Sequence, residues 1–323
     1  MERTGVKTEA ITGAASGRGY WKRLMKDIGK DYDAYILVLP VIAFYLIFAY
    51  KPMYGAIIAF KNYSPGLGII KSPWAGSYGF QHFLSFFNSY YFGRVIKNTL
   101  VISMTTLIFG FPAPIILALL LNEVKNLAFK RIVQTISYLP HFISTVVLCS
   151  LVRIFTRSGG IINNMLLPLG LRSGDMLGHA SYFVPLYVIS GIWSEVGWGS
   201  IIYLAALSGI DQELYEAARI DGANRWQQTL HVTLPGILGT IIILFILRMG
   251  GVMNVGHEKI LLLYNEGIYD TADVISTFVY RRGLLDFSWS YSSAVGLFNS
   301  VINFMLVVTF NKLSSKFSEY SLW

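Results

Sequence analysis

Apolar residues in this chain are gathered into long runs that alternate with shorter polar stretches. A helix that crosses the hydrocarbon core of a bilayer needs about 20 mostly apolar residues. Six runs come near that length, at about residues 34–50, 96–121, 132–154, 181–207, 236–254 and 292–311. Prolines interrupt several of them, which membranes tolerate when neighbouring helices satisfy the freed backbone groups. The pattern predicts an all-α polytopic membrane protein with six membrane-spanning helices.

One long polar run lies between the fourth and fifth expected spans. It reads DQELYEAARIDGANRWQQTLHVTLP, from Asp211 to Pro235, and is called the hinged segment below. Asp211 is a favourable N-cap, and Asp221-Gly222 ends a first helix because glycine tolerates a positive φ. Asn224 then caps a second helix, which we expect to stop at Pro235. One face of the first helix carries small and apolar side chains, suited to close docking: Leu214, Ala217 and Ala218.

The composition supports a membrane protein. Of 323 residues, 54% are hydrophobic and only 14% are charged, and the mean hydropathy is +0.52. Typical soluble domains contain about 25% charged residues. The formal net charge of +8 does not indicate nucleic-acid binding, because the basic residues are dispersed and form no stripe interleaved with aromatic side chains.

Few residues offer catalytic or metal chemistry. Cys149 is the single cysteine, so the chain forms no intrachain disulfide and no cysteine-based metal cluster of its own. The five histidines are too far apart in sequence to form a metal-ligand pair on one helical turn: His82, His141, His179, His231 and His257. No GxxxxGK[ST] loop occurs, so ATP, if it drives the protein, binds to another chain. We expect no cofactor on this chain.

Lysine and arginine counts in alternate loops predict the orientation, because cytoplasmic loops carry more of them. With the N-terminus inside, fourteen lie on the cytoplasmic side and eleven on the outer side. Both termini and the hinged segment are then cytoplasmic. The expected organisation is a basic tail at 1–33, a transmembrane domain at 34–311 that contains the loop 208–235, and a cytoplasmic tail at 312–323.

The N-terminal tail and the outer segments allow two interpretations each. In the tail, Trp21, Leu24, Met25 and Ile28 share one helical face, which predicts a helix lying in the membrane interface; a disordered basic tail is the alternative. Three outer segments, at 51–94, about 155–180 and 255–291, carry aromatic and basic residues. An interfacial aromatic belt is the favoured explanation for these aromatics, and a ligand surface is the alternative.

The hinged segment carries a family signature. Glu216-Ala217-Ala218, followed by Gly222, Val232 and Leu234-Pro235 at fixed spacings, is similar to the EAA signature of permeases from binding-protein-dependent ABC importers. The departure is Val232, where isoleucine is usual. With the run KPMYGAIIAFKNYSP at 51–65 and the six spans, the chain resembles the maltose-type (MalF/LplB-like) carbohydrate permeases, and most closely the permease of the alginate importer.

The resemblance implies a type I importer fold and an assembly. It implies a second permease subunit, usually a different chain, two ATPase subunits that bind ATP and Mg²⁺, and an extracytoplasmic solute-binding protein, all at the cytoplasmic (inner) membrane. The implied ATPase-coupling residues are Glu216, Ala217, Ala218, Gly222, Leu234 and Pro235. The chain itself is then not an enzyme.

Two charged residues fall inside expected spans. Glu195 lies twelve residues before the end of the fourth span, and Arg248 about twelve after the start of the fifth. At about 1.5 Å per residue, both lie roughly 18 Å deep on antiparallel helices. Because an unpaired charge there is costly, we expect them to form a salt bridge or to face the translocation path together. A structural pair that never meets substrate is the alternative.

The substrate and two rival classes remain open at this point. The resemblance favours an oligosaccharide, with acidic uronate chains such as alginate ahead of neutral ones. A membrane-embedded transferase would need clustered catalytic groups, for which only His257-Glu258 offers itself. A secondary transporter would need inverted repeats and ion-coordinating acids, whereas Glu195 is alone.

Overall fold

The structure is a computed structural model that describes residues 32–166, 168, 174–317 and 321–322. Within these residues the backbone is largely helical, and the one strand-like contact is an isolated bridge between Lys61 and Trp74. The chain divides into two compact units, with the boundary after Ala56. The interfacial helix expected around residues 21–28 lies outside the described residues.

Nine longer helices carry the architecture. In chain order they are α1 (Tyr32–Phe60), α2 (Tyr91–Glu123), α3 (Leu127–Phe142), α4 (Thr145–Thr156), α5 (Ala180–Ser208), α6 (Gln212–Ile220), α7 (Arg225–Gly236), α8 (Leu238–Met249) and α9 (Trp289–Phe317). Shorter helices are Gly68–Lys71, Gln81–Phe87, Ile161–Leu166, His257–Leu263, Tyr269–Ala272 and Ile275–Tyr280.

The number of possible spans agrees with the apolar runs. Four helices, α1, α2, α5 and α9, are long and apolar enough to cross a membrane. The bent pairs α3–α4 and α7–α8 each qualify as one further span, so the described part of the chain holds up to six. The expectation of an all-helical fold with six spans is confirmed when each bent pair is taken as one span.

The third expected span is bent rather than straight. α3 and α4 meet at 101°. Pro140 lies in the last turn of α3, and the Ser144 side chain accepts a hydrogen bond from the Val147 N–H at 3.4 Å to begin α4. Proline disfavours a continuing helix, and the serine cap starts a new one in another direction. The expected span over 132–154 is therefore interrupted near Pro140, one of the prolines that the sequence places inside its apolar runs.

Two glycines let α5 pack tightly against its neighbours. A Cβ at Gly197 would overlap the backbone carbonyl of Ser137 in α3, and one at Gly199 would lie 3.0 Å from Pro114 Cγ in α2. Without a hydrophobic force between helices in lipid, such close backbone packing supplies much of the attraction. The position of α5 beside α2 and α3 therefore depends on these two residues lacking side chains.

The run at 51–65 has a structural explanation in Lys61. Its Nζ donates hydrogen bonds to the carbonyl oxygens of Ile69 and Ile70 at 2.9 and 2.8 Å, and the residue is only 6% exposed. Those carbonyls belong to the last turn of the helix Gly68–Lys71, where a cation is favourable. The same Nζ lies 5.2 Å from the centre of the Trp74 ring. Lys61 therefore organises the loop between α1 and α2.

A buried carboxylate ties the segment before α9 to α2. Asp273 is fully buried, and its Oδ2 lies 2.7 Å from Arg281 Nη2 and 3.6 Å from Arg94 Nη2. The Thr277 hydroxyl donates a hydrogen bond to Asp273 Oδ1 at 2.9 Å. From α2, the Asn98 amide donates to the Asp273 carbonyl at 3.0 Å. These partners compensate the cost of burying the charge.

Candidate functional site

The hinged segment has the local geometry that its residues predict. The Asp211 side chain accepts a hydrogen bond from the Glu213 N–H at 3.0 Å and caps α6. Gly222 then takes a φ of 81°, which reverses the chain after α6. Asn224 and Gln227 form a reciprocal capping box at the start of α7. The expected two helices joined at a glycine are confirmed.

The end of the segment differs from the expectation. α7 does not stop at Pro235 but continues to Gly236, with a wider π-helical turn over Thr229–Thr233. Such a turn relieves the clash that a proline ring makes with the carbonyl four residues earlier. The chain then bends by 59° between α7 and α8, at Ile237.

Three contacts fix the segment to the helical body. The Tyr215 and Thr233 hydroxyls are hydrogen-bonded at 3.0 Å, which joins α6 to α7. Arg225 Nη1 lies 2.9 Å from Glu123 Oε2 at the end of α2. Tyr215 and Val232 also pack against the buried cluster formed where α2, α5 and α8 approach each other. The two helices are therefore linked both to each other and to the spans.

The opposite side of the segment is open. Glu216, Ala217 and Gly222 are exposed, Ala218 and Leu234 are half-buried and Pro235 is exposed. Large apolar side chains stand beside them, with Ile220 87% exposed and Trp226 69% exposed. Exposed apolar groups of this size, rimmed by polar residues, are typical of a protein docking surface.

We expect Gly222→Ala to loosen this hinge. The added Cβ meets no atom within 4 Å, so the cost comes from the left-handed backbone, about 1–2 kcal/mol for an L-residue. Faster hydrogen exchange of residues 212–228 in the purified assembly is the expected result. Gly209→Ala is the matched control, because Gly209 has a φ of −87° that alanine adopts freely. Equal exchange in the two variants would contradict the assignment of the hinge to Gly222.

A cavity of about 670 Å³ lies between α2, the α3–α4 bend, α5 and α8. Glu195 and Arg248 both line it. That these two residues face the translocation path stays a prediction. Further polar lining groups come from several elements: Thr106, His141, Thr145, Tyr187, Ser194, Asn254 and Lys259. A cavity of roughly 300–1,000 Å³ with convergent polar groups is the usual form of a small-molecule site.

The polar partner of Glu195 in this cavity is not the expected one. Glu195 Oε2 lies 3.1 Å from His141 Nδ1, and the His141 ring stacks on Trp198 at 4.6 Å between centroids. Arg248 lines the cavity without being the partner of Glu195. The expectation of a Glu195–Arg248 salt bridge is therefore not met, because the bend after α3 brings His141 to α5. A histidine beside a proline in an apolar run was the available signal.

Lys259 adds a second cation to the cavity lining. It lies on the short helix His257–Leu263, outside the membrane-spanning helices, and its Nζ donates to the Tyr187 carbonyl at 2.8 Å. Burial lowers the pKa of this ammonium to about 8, while Cys149 and Glu195 act in the opposite direction. The group therefore remains mostly protonated at neutral pH.

Irregular backbone borders the same cavity. α8 ends at Met249, earlier than the expected boundary at 254, and the residues up to Gly256 form turns. In this stretch Asn254 Oδ1 accepts hydrogen bonds from Asn299 and Asn303 of α9, at 2.8 and 3.1 Å. Non-helical backbone inside a membrane is tolerated where protein groups satisfy it or where it lines a wet cavity.

The fold and the two sites define a class of protein. A helical membrane body with a polar internal cavity and an exposed, hinged two-helix element matches a transport subunit, and residues 110–310 match the family described as "Binding-protein-dependent transport system inner membrane component". The chain belongs to this family, as a permease subunit of a carbohydrate ABC importer and not an enzyme.

Two relatives from Bacillus subtilis (strain 168) are similar over nearly their whole length. The protein LplB is 43% identical over 95% of this chain and 96% of its own. The polygalacturonan/rhamnogalacturonan transport system permease protein YteP is 42% identical over 94% of both chains. Each covers the hinged segment and the cavity residues together.

Two solved structures share the fold. A chain of a bacterial ABC transporter involved in the import of the acidic polysaccharide alginate gives a TM-score of 0.83 at 45% identity, over 91% of this chain and 99% of its own. A chain of the bacterial alginate ABC transporter in complex with an alginate pentasaccharide-bound periplasmic protein gives 0.85 at 44% identity, over 93% and 100%.

Proposed function

We propose that this chain is one half of the membrane pathway of an ATP-driven importer for acidic oligosaccharides of the alginate or uronate type. A second, different permease chain, two ATPase subunits that carry ATP and Mg²⁺, and an extracytoplasmic solute-binding protein complete the assembly. Both termini lie in the cytoplasm. The likeness to the alginate importer chains and to YteP, whose names refer to uronate-containing polymers, supports this substrate class.

The substrate proposal depends on the charge of the cavity of about 670 Å³ that Glu195 and Arg248 line, which is called the large cavity below. Arg248 and Lys259 line it, whereas Glu195 is the one carboxylate among the lining residues and is already paired with His141. The charged lining side chains therefore carry a net positive charge. In a partly desolvated cavity this charge attracts an anionic group more strongly than it would in water. A neutral sugar can accept hydrogen bonds from these groups but lacks the charge–charge attraction that a carboxylate adds.

The test of this proposal is uptake by the reconstituted assembly with Arg248→Gln. Loss of one charge-assisted hydrogen bond to a uronate costs about 1.5–3 kcal/mol. We therefore expect the KM for an oligouronate to rise roughly tenfold to hundredfold. Lys71→Gln is the control, because Lys71 is an exposed cation that does not line the cavity. Equal uptake of neutral oligosaccharides by the unmodified assembly, or an unchanged KM in Arg248→Gln, would sink the acidic-substrate proposal.

Coupling is assigned to the hinged segment. ATP draws the ATPase subunits together, α6 and α7 move as a lever, and the spans switch between inward-facing and outward-facing arrangements. The surface formed by Glu216, Ala217, Ala218, Gly222, Leu234 and Pro235 receives the ATPase, and its exposure supports this role.

A cysteine crosslink tests the coupling surface. Ala217→Cys should crosslink to the ATPase subunit in the purified assembly, because Ala217 is exposed on the first helix of the segment. Asn88→Cys, exposed near the other end of α2, is the matched control and should give no such product. Crosslinking at Asn88 but not at Ala217 would place the ATPase at the end of α2 away from the hinged segment, which contradicts this mechanism.

A further inference from the structure

A second cavity, of about 590 Å³, lies at the start of α2 and α9. Tyr91 and Trp289, the first residues of these two helices, both line it. Glu123, at the other end of α2, is bonded to Arg225 of the hinged segment. Since α2 has 33 residues, the second cavity is about 50 Å from the hinged segment along that helix. It therefore opens at the opposite end of the helical body.

The lining of this cavity combines aromatic faces with polar groups. Six aromatic residues line it: Tyr63, Tyr90, Tyr91, Phe287, Trp289 and Tyr291. Asn62, His82 and Ser288 stand among them as hydrogen-bonding groups. A sugar ring presents apolar C–H faces and a rim of hydroxyls, so it fits a concave site in which aromatic surfaces alternate with a few placed polar groups.

The rim is held in an uncommon backbone conformation. Phe287 takes a φ of 52°, in the left-handed region that bulky residues avoid, and its side chain is 66% exposed. The turn is maintained by two hydrogen bonds, from the Ser288 N–H to the Arg282 carbonyl at 2.9 Å and from the Asp286 N–H to the Arg281 carbonyl at 3.0 Å. Backbone strain of this kind occurs most often at binding and active sites. Here it places the Phe287 ring at the edge of the cavity.

The charge of the cavity indicates the kind of sugar. Arg282 lines it, and no carboxylate is among its lining residues. The Arg282 guanidinium lies 5.3 Å from the centre of the Tyr91 ring and is oriented by Asp286 at 3.0 Å, from outside the lining. Asp286 engages only Nη1 and offsets part of the charge, so recognition of a sugar carboxylate falls to the other donors of the guanidinium.

We propose that this cavity is an outer sugar subsite, which binds one end of an acidic oligosaccharide before the chain reaches the large cavity. The proposal rests on the proposed function in taking the cargo to be an acidic oligosaccharide and the hinged segment to be cytoplasmic. Two polar lining groups are held in place, since the Ser290 hydroxyl accepts a hydrogen bond from the Tyr63 N–H at 2.9 Å and His82 Nε2 lies 3.2 Å from the Lys61 carbonyl oxygen. A concave site with placed polar groups of this kind favours a small ligand such as a sugar.

Cysteine protection tests the subsite directly. Tyr90 lines the cavity and is 87% exposed, and the native Cys149 is buried, so Tyr90→Cys supplies a new reactive thiol on this chain. Its reaction with a membrane-impermeant maleimide is followed in the nanodisc-embedded assembly without ATP or solute-binding protein. An oligouronate at ten times its dissociation constant should slow the reaction about tenfold. Tyr78→Cys, fully exposed and outside the cavity, should react at an unchanged rate.

A charge variant separates the site from the transport pathway. In the background of Tyr90→Cys, Arg282→Gln should raise the oligouronate concentration needed for protection roughly tenfold to hundredfold, while Arg248→Gln in the large cavity leaves it unchanged. No protection by any oligosaccharide, although uptake of that sugar continues, would overturn the subsite and leave the proposed function intact. Protection by the solute-binding protein alone would make this surface a docking site and also overturn it. Protection by neutral but not acidic sugars would refute the assignment of Arg282.

Discussion

Replacing Asp273 with alanine is expected to destabilise the folded chain by about 3–5 kcal/mol, the usual effect of removing one partner from a buried ion pair. The variant leaves Arg281 and Arg94 without the carboxylate that lies 2.7 and 3.6 Å from them. It also removes one of the two acceptors of the Thr277 hydroxyl, the other being the Val274 carbonyl oxygen. Since these residues join the segment before α9 to α2, we expect loss of assembled complex as well as of stability.

The stability of the Asp273→Ala chain is to be measured by denaturant unfolding in detergent and by the yield of monodisperse complex. Asp270→Ala is the matched control, since Asp270 binds the same Arg94 at 3.3 Å but its side chain is 88% exposed. An exposed pair contributes about 0–1 kcal/mol, so this control should resemble the unmodified chain. Equal losses of unfolding free energy in Asp273→Ala and Asp270→Ala would show that burial does not determine how much Asp273 stabilises the fold.

Gly197→Ala is expected to separate α3 from α5. The new Cβ would overlap the Ser137 carbonyl and lie 2.9 Å from the Tyr138 backbone nitrogen, and backbone atoms in a helix have little room to move. Overpacking of this kind costs about 1–3 kcal/mol and occasionally more. Because His141 follows Ser137 by one helical turn, the shift would also disturb its hydrogen bond with Glu195 and lower transport.

A second glycine provides the comparison for Gly197→Ala. Gly296 lies inside α9, and a Cβ there meets no atom within 4 Å. Gly296→Ala should therefore leave stability unchanged or raise it by about 0.5–1 kcal/mol, since alanine is the better helix former. The measurement is the same unfolding titration together with uptake. A Gly197→Ala chain as stable and active as Gly296→Ala would disprove the close contact of α3 and α5.

Features that depend on neighbouring residues were predictable. The caps at Asp211 and Asn224 and the positive φ at Gly222 each follow from the conformational preference of a single side chain and its next few neighbours. The apolar runs follow from the thickness of a bilayer, so the number and rough position of the spans were also accessible. The EAA pattern then indicated the family, which the comparisons confirm.

Features that depend on distant residues were not predictable. Glu195 was assigned to Arg248 because both lie at similar depth, but a 101° bend directs His141 toward α5 instead. Arg94 is more than 170 residues from Asp273 and Arg281 in the chain, and no local sequence pattern indicates that it contacts them. Six aromatic residues from three stretches of the chain line one cavity, a grouping that no local pattern in the sequence indicates. The interfacial aromatic belt stays a prediction.

The amino-acid sequence alone determined that this protein is helical, lies in a membrane, and presents a hinged two-helix segment between its fourth and fifth spans. These properties rest on hydrophobic length and on local backbone preference, which act over a few residues. The tertiary structure decided which charges pair, where the third span bends and which aromatic rings gather at the start of α2 and α9. Those outcomes depend on how helices pack, and packing is set by contacts between residues far apart in the chain.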